Sequence, residues 1–99
     1  MHNYTILNGA ITEMEDIETI SVKGNPIKSV IFYISTEDGD LPVRAWGDAQ
    51  IEQVQKYIHA DGLVDAICLL KNNTYMYHNK DGEERRAVNV SLTLKRFVQ

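Results

Sequence analysis

The sequence has a single cysteine, no long apolar run and no low-complexity tract. With Cys68 alone, an intramolecular disulfide and a cysteine-based zinc cluster are both excluded. Cys68 lies in the apolar segment 63–70, so we expect a small buried hydrophobic residue there rather than a reactive thiol. No apolar run approaches the roughly 20 residues of a membrane-spanning helix. Because no Ser-, Gln- or Pro-rich tract predicts disorder, the whole chain is expected to fold.

Motifs typical of secretion and of catalysis are also missing. The amino terminus has no basic leader followed by an apolar core and a cleavage site, so we predict a cytoplasmic protein. There is no glycine-rich phosphate loop, nucleophile elbow or pair of catalytic carboxylates. His2, His59 and His78 are too far apart to suggest metal-ligand spacing. The sequence therefore predicts a protein that is not an enzyme and has no cofactor and no metal site.

Chain length and charge limit what remains. A chain of 99 residues is the size of one domain, so we expect residues 1–99 to form a single unit. Its 43% hydrophobic and 24% charged residues are typical of a globular protein. The net charge of -4 disfavours simple electrostatic attraction to nucleic acid. Any binding of phosphates must therefore use a local cationic patch.

Alternating apolar and polar residues predict an all-β protein. Strands are expected at residues 3–12, 27–36, 41–46, 63–77 and 88–95. Gly9 interrupts the first of these and predicts a bulge or a sharp bend. The acidic stretch at 13–18 and the turn signal Lys23-Gly24-Asn25-Pro26 predict that a hairpin loop joins the first two strands.

One helix and one long hairpin complete the expected elements. Asp48 is a plausible N-cap for a helix that continues to about His59 and ends by Gly62. Its apolar stripe has helical spacing. The turn at 79–82 predicts a tight hairpin between the last two strands. In the final strand the alternation predicts four inward-facing residues: Val88, Val90, Leu92 and Leu94.

The predicted order is three strands, one helix and two strands. This is the order of a five-stranded Greek-key OB barrel, in which the helix lies between strands three and four. Residues 43–47, Val-Arg-Ala-Trp-Gly, are followed by the helix and by Tyr-Ile-His-Ala-Asp-Gly-Leu-Val at 57–64. Residues 77–86 read Tyr-His-Asn-Lys-Asp-Gly-Glu-Glu-Arg-Arg. Together with Asn-Tyr-Thr-Ile-Leu-Asn-Gly-Ala-Ile at 3–11, these stretches resemble the bacterial and phage single-stranded DNA-binding proteins.

Two departures from that family pattern are informative. The loop between the second and third strands, long and rich in stacking or basic residues in the family, is reduced to the acidic turn 37–40. The chain also stops at Gln99 without the family's disordered linker and acidic tail. Either such a tail has been removed or the chain is a divergent member that has none, and we expect the second.

The outward-facing residues of the third strand suggest where nucleic acid would bind. Arg44 and Trp46 alternate with Val43 and Ala45, so they face outward if the latter pair fills the barrel. The resemblance implies that Trp46 is a position on which bases stack. The alternative is a tryptophan that packs in the core or under the helix.

Tyrosines and cations extend this candidate site. The resemblance implies that Tyr77 is a second stacking position, and Tyr75 shares its face of the strand. The alternative is that these tyrosines pack across strands within the hairpin. Tyr33 is expected either to join the platform or to lie in a subunit interface. Candidate phosphate contacts are the cations of the third strand and the long hairpin: Arg44, Lys71, Lys80, Arg85 and Arg86. The alternative is that these charges are simply solvated.

The resemblance implies sequence-tolerant binding of single-stranded DNA, or of RNA, in replication, recombination or repair. It also implies a homodimer or homotetramer, for which residues 4–8 of the first strand are a candidate edge. The acidic composition and the short loop favour an alternative, an OB protein of the primosomal type that bridges proteins or protein and DNA. A third interpretation is a structural protein of a phage, plasmid or mobile element.

Overall fold

The computed structural model describes residues 3–60 and 62–98. The expectations for His2, Asp61 and Gln99 therefore concern residues outside this range. In chain order the elements are β1 (Asn3–Met14), β2 (Glu18–Val22), β3 (Asn25–Thr36), β4 (Gly39–Trp46), α1 (Gly47–Ile58), β5 (Val64–His78) and β6 (Glu84–Val98).

Five of these strands form a closed sheet. Neighbours in the sheet run β1, β5, β6, β4 and β3, and the pairing of β1 with β3 closes the ring. All the pairs are antiparallel except β4 with β6, which meet in parallel at Arg44 and Thr93. In chain order α1 lies between the third and fourth strands of the ring. The predicted five-stranded OB barrel is therefore confirmed.

β2 is an additional strand where the sequence predicted only a hairpin loop. It pairs with the start of β3, with Ile20 opposite Ile27. Lys23 and Gly24 both have positive φ, 52° and 81°, as a two-residue hairpin turn requires. The Lys-Gly turn was recognised, but the alternation that precedes it is too short to predict a paired strand.

The core lies inside the barrel and under α1. Alternate residues of β3 and β4 point inward, so Val30, Phe32, Ile34, Val43 and Ala45 are all buried. The helix adds buried side chains at helical spacing, and β5 and β6 close the core from the other side: Ile51, Val54, Ala66, Cys68, Leu94 and Phe97. Burial raises the pKa of the Cys68 thiol to about 11, as expected for a packed residue rather than a reactive thiol.

The start of α1 differs from the prediction. The helix begins at Gly47, and Trp46 rather than Asp48 occupies the N-cap position. No side chain caps it, but the Trp46 backbone N–H donates to Oε1 of Gln50 at 2.8 Å. Asp48 lies in the first turn, where its carboxylate is 3.7 Å from Nζ of Lys28. The positive φ of Gly47, 86°, turns the chain into the helix earlier than a cap at Asp48 would.

The last strand is longer than predicted and leaves the barrel. Leu94 is buried and Leu92 half-buried, as predicted, but Val88 and Val90 are 56% and 59% exposed. The reason is that β5 and β6 continue past the barrel as a two-stranded hairpin, which we call the arm (residues 71–90). The radius of gyration, 15.8 Å, exceeds the roughly 13 Å of a compact domain of this length because the arm projects.

Gly9 has a different role from the one predicted. It pairs in regular register with Val64, and the irregularity of β1 lies later, between Ile11 and Glu13. A Cβ atom at Gly9 would lie 2.1 Å from the backbone oxygen of Ser35. The glycine therefore permits a close approach of β1 to β3, where the ring closes.

Among the described residues, no helix combines the length and the apolar character needed to cross a membrane.

Candidate nucleic-acid interface

The register of β3 and β4 places Arg44 and Trp46 on the outside of the barrel. Arg44 is opposite Ile31 and Trp46 is opposite Ser29, whereas the intervening Ala45 is fully buried. Directly paired residues project from the same side of a sheet. We call the side that carries Arg44 and Trp46 the outer face.

Arg44 and Trp46 form a small ordered unit on this face. Nη1 of Arg44 donates to Oγ of Ser29 at 2.7 Å, and Ser29 is fully buried. The guanidinium carbon lies 5.5 Å from the centre of the Trp46 ring, within the range of a cation–π contact. The tryptophan is partly exposed. The predicted outward orientation of both residues is therefore found, and the arginine is fixed beside the ring.

A groove of about 220 Å³ lies beside Arg44, between β3 and β4 on one side and β6 on the other. Its walls are mainly aliphatic, with Arg44 and Ser91 as polar groups: Ile31, Pro42, Val43, Arg44, Val90, Ser91 and Leu92. Nothing in the sequence indicates this groove. Alternation along their strands predicts that Ile31 and Pro42 face outward. The groove also needs β6 to lie beside β4, and this depends on closure of the barrel, which local alternation cannot predict.

The outer face continues from the barrel onto the arm. Arg44 pairs with Thr93, which pairs in turn with Leu69 of β5. From Leu69, residues at intervals of two share the same side of the strand, so Tyr75 and Tyr77 belong to the outer face. Their ring centres are 6.3 Å apart with planes inclined at 51°, and both side chains are about half exposed. The two tyrosines contact each other and still leave ring surface accessible.

The candidate cations have unequal positions. Lys71 is opposite Ser91 on the outer face, and Arg85 is opposite Tyr77 on the same side, where it is ion-paired with Glu83. Arg86 is opposite Met76 and projects from the other side of the arm. Lys80 lies in the exposed turn at the tip. The arm also carries Asp81, Glu83 and Glu84, so its cations do not form a purely basic surface.

Tyr33 lies at the acidic border of the outer face. It is opposite Pro42 on one side and Glu13 on the other, and its hydroxyl donates to Oε2 of Glu15 at 2.8 Å. This hydrogen bond is the main reason that the pKa of the Tyr33 phenol is raised; desolvation and the charges of Glu15 and Glu13 add to it. The contact was not predicted, because nothing in the local sequence relates residues 15 and 33.

Within residues 3–60 and 62–98, no group of three or more His, Cys, Asp or Glu side chains is arranged to hold a metal ion.

The closed five-stranded barrel, with its helix after the third barrel strand, has the OB fold. It is similar to the crystal structure of the mitochondrial single-stranded DNA-binding protein Rim1 from S. cerevisiae, with a TM-score of 0.59. The similarity covers 99% of this chain and 94% of Rim1 at 15% sequence identity, so it shows a shared fold. No family model matches the sequence, and no curated protein matches it.

Proposed function

We propose that the protein binds single-stranded DNA without sequence preference, through base stacking on aromatic rings and phosphate contacts with cations. The observation that carries this proposal is the continuous outer face shared by Trp46, Arg44, Tyr75 and Tyr77. The fold shared with a single-stranded DNA-binding protein supports it. We expect this binding to serve replication, recombination or repair in the cytoplasm, and single-stranded RNA is the other ligand to test.

In this proposal the aromatic residues stack with bases and the cations follow the backbone. Trp46 and Tyr77 each take a base, and Tyr75 enlarges the platform beside Tyr77. Arg44 lies next to the indole, so a base on Trp46 brings its phosphate near a guanidinium. Further phosphate contacts are assigned to cations of the arm: Lys71, Lys80, Arg85 and Arg86.

The charge of the molecule limits the strength of binding. The net charge of -4 repels nucleic acid at long range, and Glu83 competes with phosphate for Arg85. We therefore expect binding that is weak, or assisted by a partner, and strongly reduced by salt.

Replacement of Trp46 tests the assignment of the stacking position. Trp46→Ala removes the ring, and loss of one stacked base weakens binding by about 1 to 3 kcal/mol, or roughly 5- to 150-fold. Trp46→Phe keeps an aromatic surface and should retain most of the affinity. Fluorescence anisotropy of a labelled thymidine oligonucleotide measures both variants. Equal affinities of Trp46→Ala and wild type would exclude Trp46 from the site.

The second candidate function is that of a bridging module of the primosomal type. The observation that favours it is the side of the arm opposite the tyrosines, where Met76, Val88 and Val90 are all more than half exposed. An apolar strip of this kind is typical of protein contacts. If bridging is the main function, Trp46→Ala will leave the cellular role intact, whereas charged substitutions at Met76 and Val88, which do not line the groove, will abolish it.

We also propose that the protein forms a homodimer or homotetramer. Residues 3–9 of β1 pair with β5, and only residues 10–14 pair with β3. One edge of the first half of β1 therefore pairs with no described strand, and the side chain of Ile6 in this segment is 65% exposed. An open strand edge with an exposed aliphatic residue is suited to pairing with a second copy.

A further inference from the structure

An acidic side chain and a cationic one lie in a single row across the outer face. The backbone N–H of Glu15 donates to the carbonyl oxygen of Ile31 at 2.8 Å, and Ile31 is directly opposite Arg44. The backbones of Glu15 and Arg44 are therefore two strand spacings apart, about 10 Å. The Glu15 carboxylate turns toward Tyr33 and the Arg44 guanidinium turns toward Ser29, so each charge acts on its own side of the row.

The Glu15 carboxylate is held at this border. The Tyr33 hydroxyl donates to its Oε2, and Glu13 lies directly opposite Tyr33 on the same face. Two carboxylates thus line the β1 side of the outer face, next to Ile31, which forms a wall of the aliphatic groove. On the β4 and β6 side the groove is bordered by Arg44, and Lys71 follows on the arm.

This arrangement distinguishes a ligand with one phosphate backbone from a ligand with two. A single strand can place its backbone along Arg44 and Lys71 and its bases over the groove. A duplex has a second backbone roughly 12 Å away across its major groove. When the first backbone lies along Arg44, the second approaches Glu13 and Glu15 and is repelled.

We propose that Glu15, positioned by Tyr33, is a specificity-determining residue that disfavours duplex DNA on the outer face. This inference rests on the proposed function, because it concerns the same nucleic-acid interface. Glu15 would act by repelling duplex DNA rather than by attracting single-stranded DNA.

The test compares two variants that make the same change in net charge. Glu15→Gln keeps the shape of the side chain, and Glu52→Gln removes an exposed carboxylate from α1, outside the outer face. Anisotropy titrations at low salt measure the affinity of each for a thymidine oligonucleotide and for a blunt duplex. For Glu15→Gln we expect the preference for the single strand over the duplex to fall by about fivefold or more. For Glu52→Gln both affinities should rise together by less than about twofold.

A second variant checks the role of the hydrogen bond. Tyr33→Phe keeps the ring but removes the hydroxyl that holds the Glu15 carboxylate. The preference of this variant for the single strand over the duplex should therefore lie between those of wild type and Glu15→Gln. If Glu15→Gln changes both affinities by the same factor as Glu52→Gln, Glu15 acts only through net charge and the inference is overturned, while the proposed function stands. A wild-type protein that binds neither ligand would overturn the proposed function and this inference with it.

Discussion

At Gly9, the absence of a side chain allows two strands of the barrel to come together. β1 approaches β3 so closely that a Cβ atom here would overlap the Ser35 backbone oxygen. Backbone atoms cannot move aside as a flexible side chain can. The sequence indicated that this position is special but not why, because the close approach involves residues 26 positions apart in the chain.

Substitution of Gly9 should therefore weaken the closure of the barrel. We expect Gly9→Ala to lower the free energy of unfolding by about 3 kcal/mol or more, because the strands must separate to admit the methyl group. Urea unfolding followed by circular dichroism measures this change. Thr12→Ala, at an exposed position of the same strand, serves as the control and should change stability by less than about 0.5 kcal/mol. Similar midpoints for the two variants would contradict the close approach at Gly9.

The parts of the candidate site that depend only on which side of one strand a residue faces could be predicted from the sequence. Outward projection of Arg44 and Trp46 follows from their alternation with Val43 and Ala45, which are both buried. The Tyr33–Glu15 contact and the cation–π contact of Arg44 depend on side-chain positions in the folded barrel. These contacts could not be predicted, because alternation specifies a side of a strand and not a neighbour.

Among the elements of the fold, the arm explains the clearest difference from the sequence-based expectation. Val88 and Val90 alternate with polar residues in the same way as Leu92 and Leu94, and all four share one side of β6. Alternation does not indicate where a strand leaves the barrel, so exposed and buried parts of β6 have the same pattern. The additional strand β2 was missed for a related reason, since five residues give too short a pattern.

The position of the arm outside the barrel leads to a stability prediction. Thr has the shape of Val and a similar strand propensity, so Val88→Thr combined with Val90→Thr should change the free energy of unfolding by less than about 0.5 kcal/mol. Leu94→Ala, in the same strand but in the core, should lower it by about 2 to 5 kcal/mol. Thermal or urea unfolding separates these outcomes. A large loss of stability in the double threonine variant would mean that the arm packs against the barrel.

For the molecule as a whole, the order of strands and helix along the chain predicted the barrel but not the register in which its strands pair. The order of these elements, together with the resemblance to single-stranded DNA-binding proteins, was sufficient to predict the five-stranded OB fold. Closure depends on the pairs β1–β3 and β4–β6, which join distant parts of the chain. The groove between β4 and β6 arises only from this closure, so it became visible only in the folded molecule.

The molar mass in solution tests the proposed assembly. If the open edge of β1 pairs with a second copy, the molar mass in solution should be twice or four times the 11.3 kDa of the chain. Ile6→Lys places a charge on that edge and should shift the protein toward the monomer, whereas Ile17→Lys, at another exposed aliphatic position, should not. Sedimentation equilibrium measures both. A wild-type mass near that of one chain at high concentration would contradict the proposed assembly.

Trp46 emission during titration with a thymidine oligonucleotide tests whether bases stack on the outer face, because Trp46 is the only tryptophan and lies on the proposed binding face. We expect emission to be quenched as a base stacks on the ring and to recover as salt is added. For about four phosphate contacts on a single strand, the logarithm of the binding constant should fall with the logarithm of salt concentration at a slope of about -3. Unchanged emission at micromolar protein, low salt and excess oligonucleotide would mean that no base stacks on Trp46 and would contradict the proposed binding.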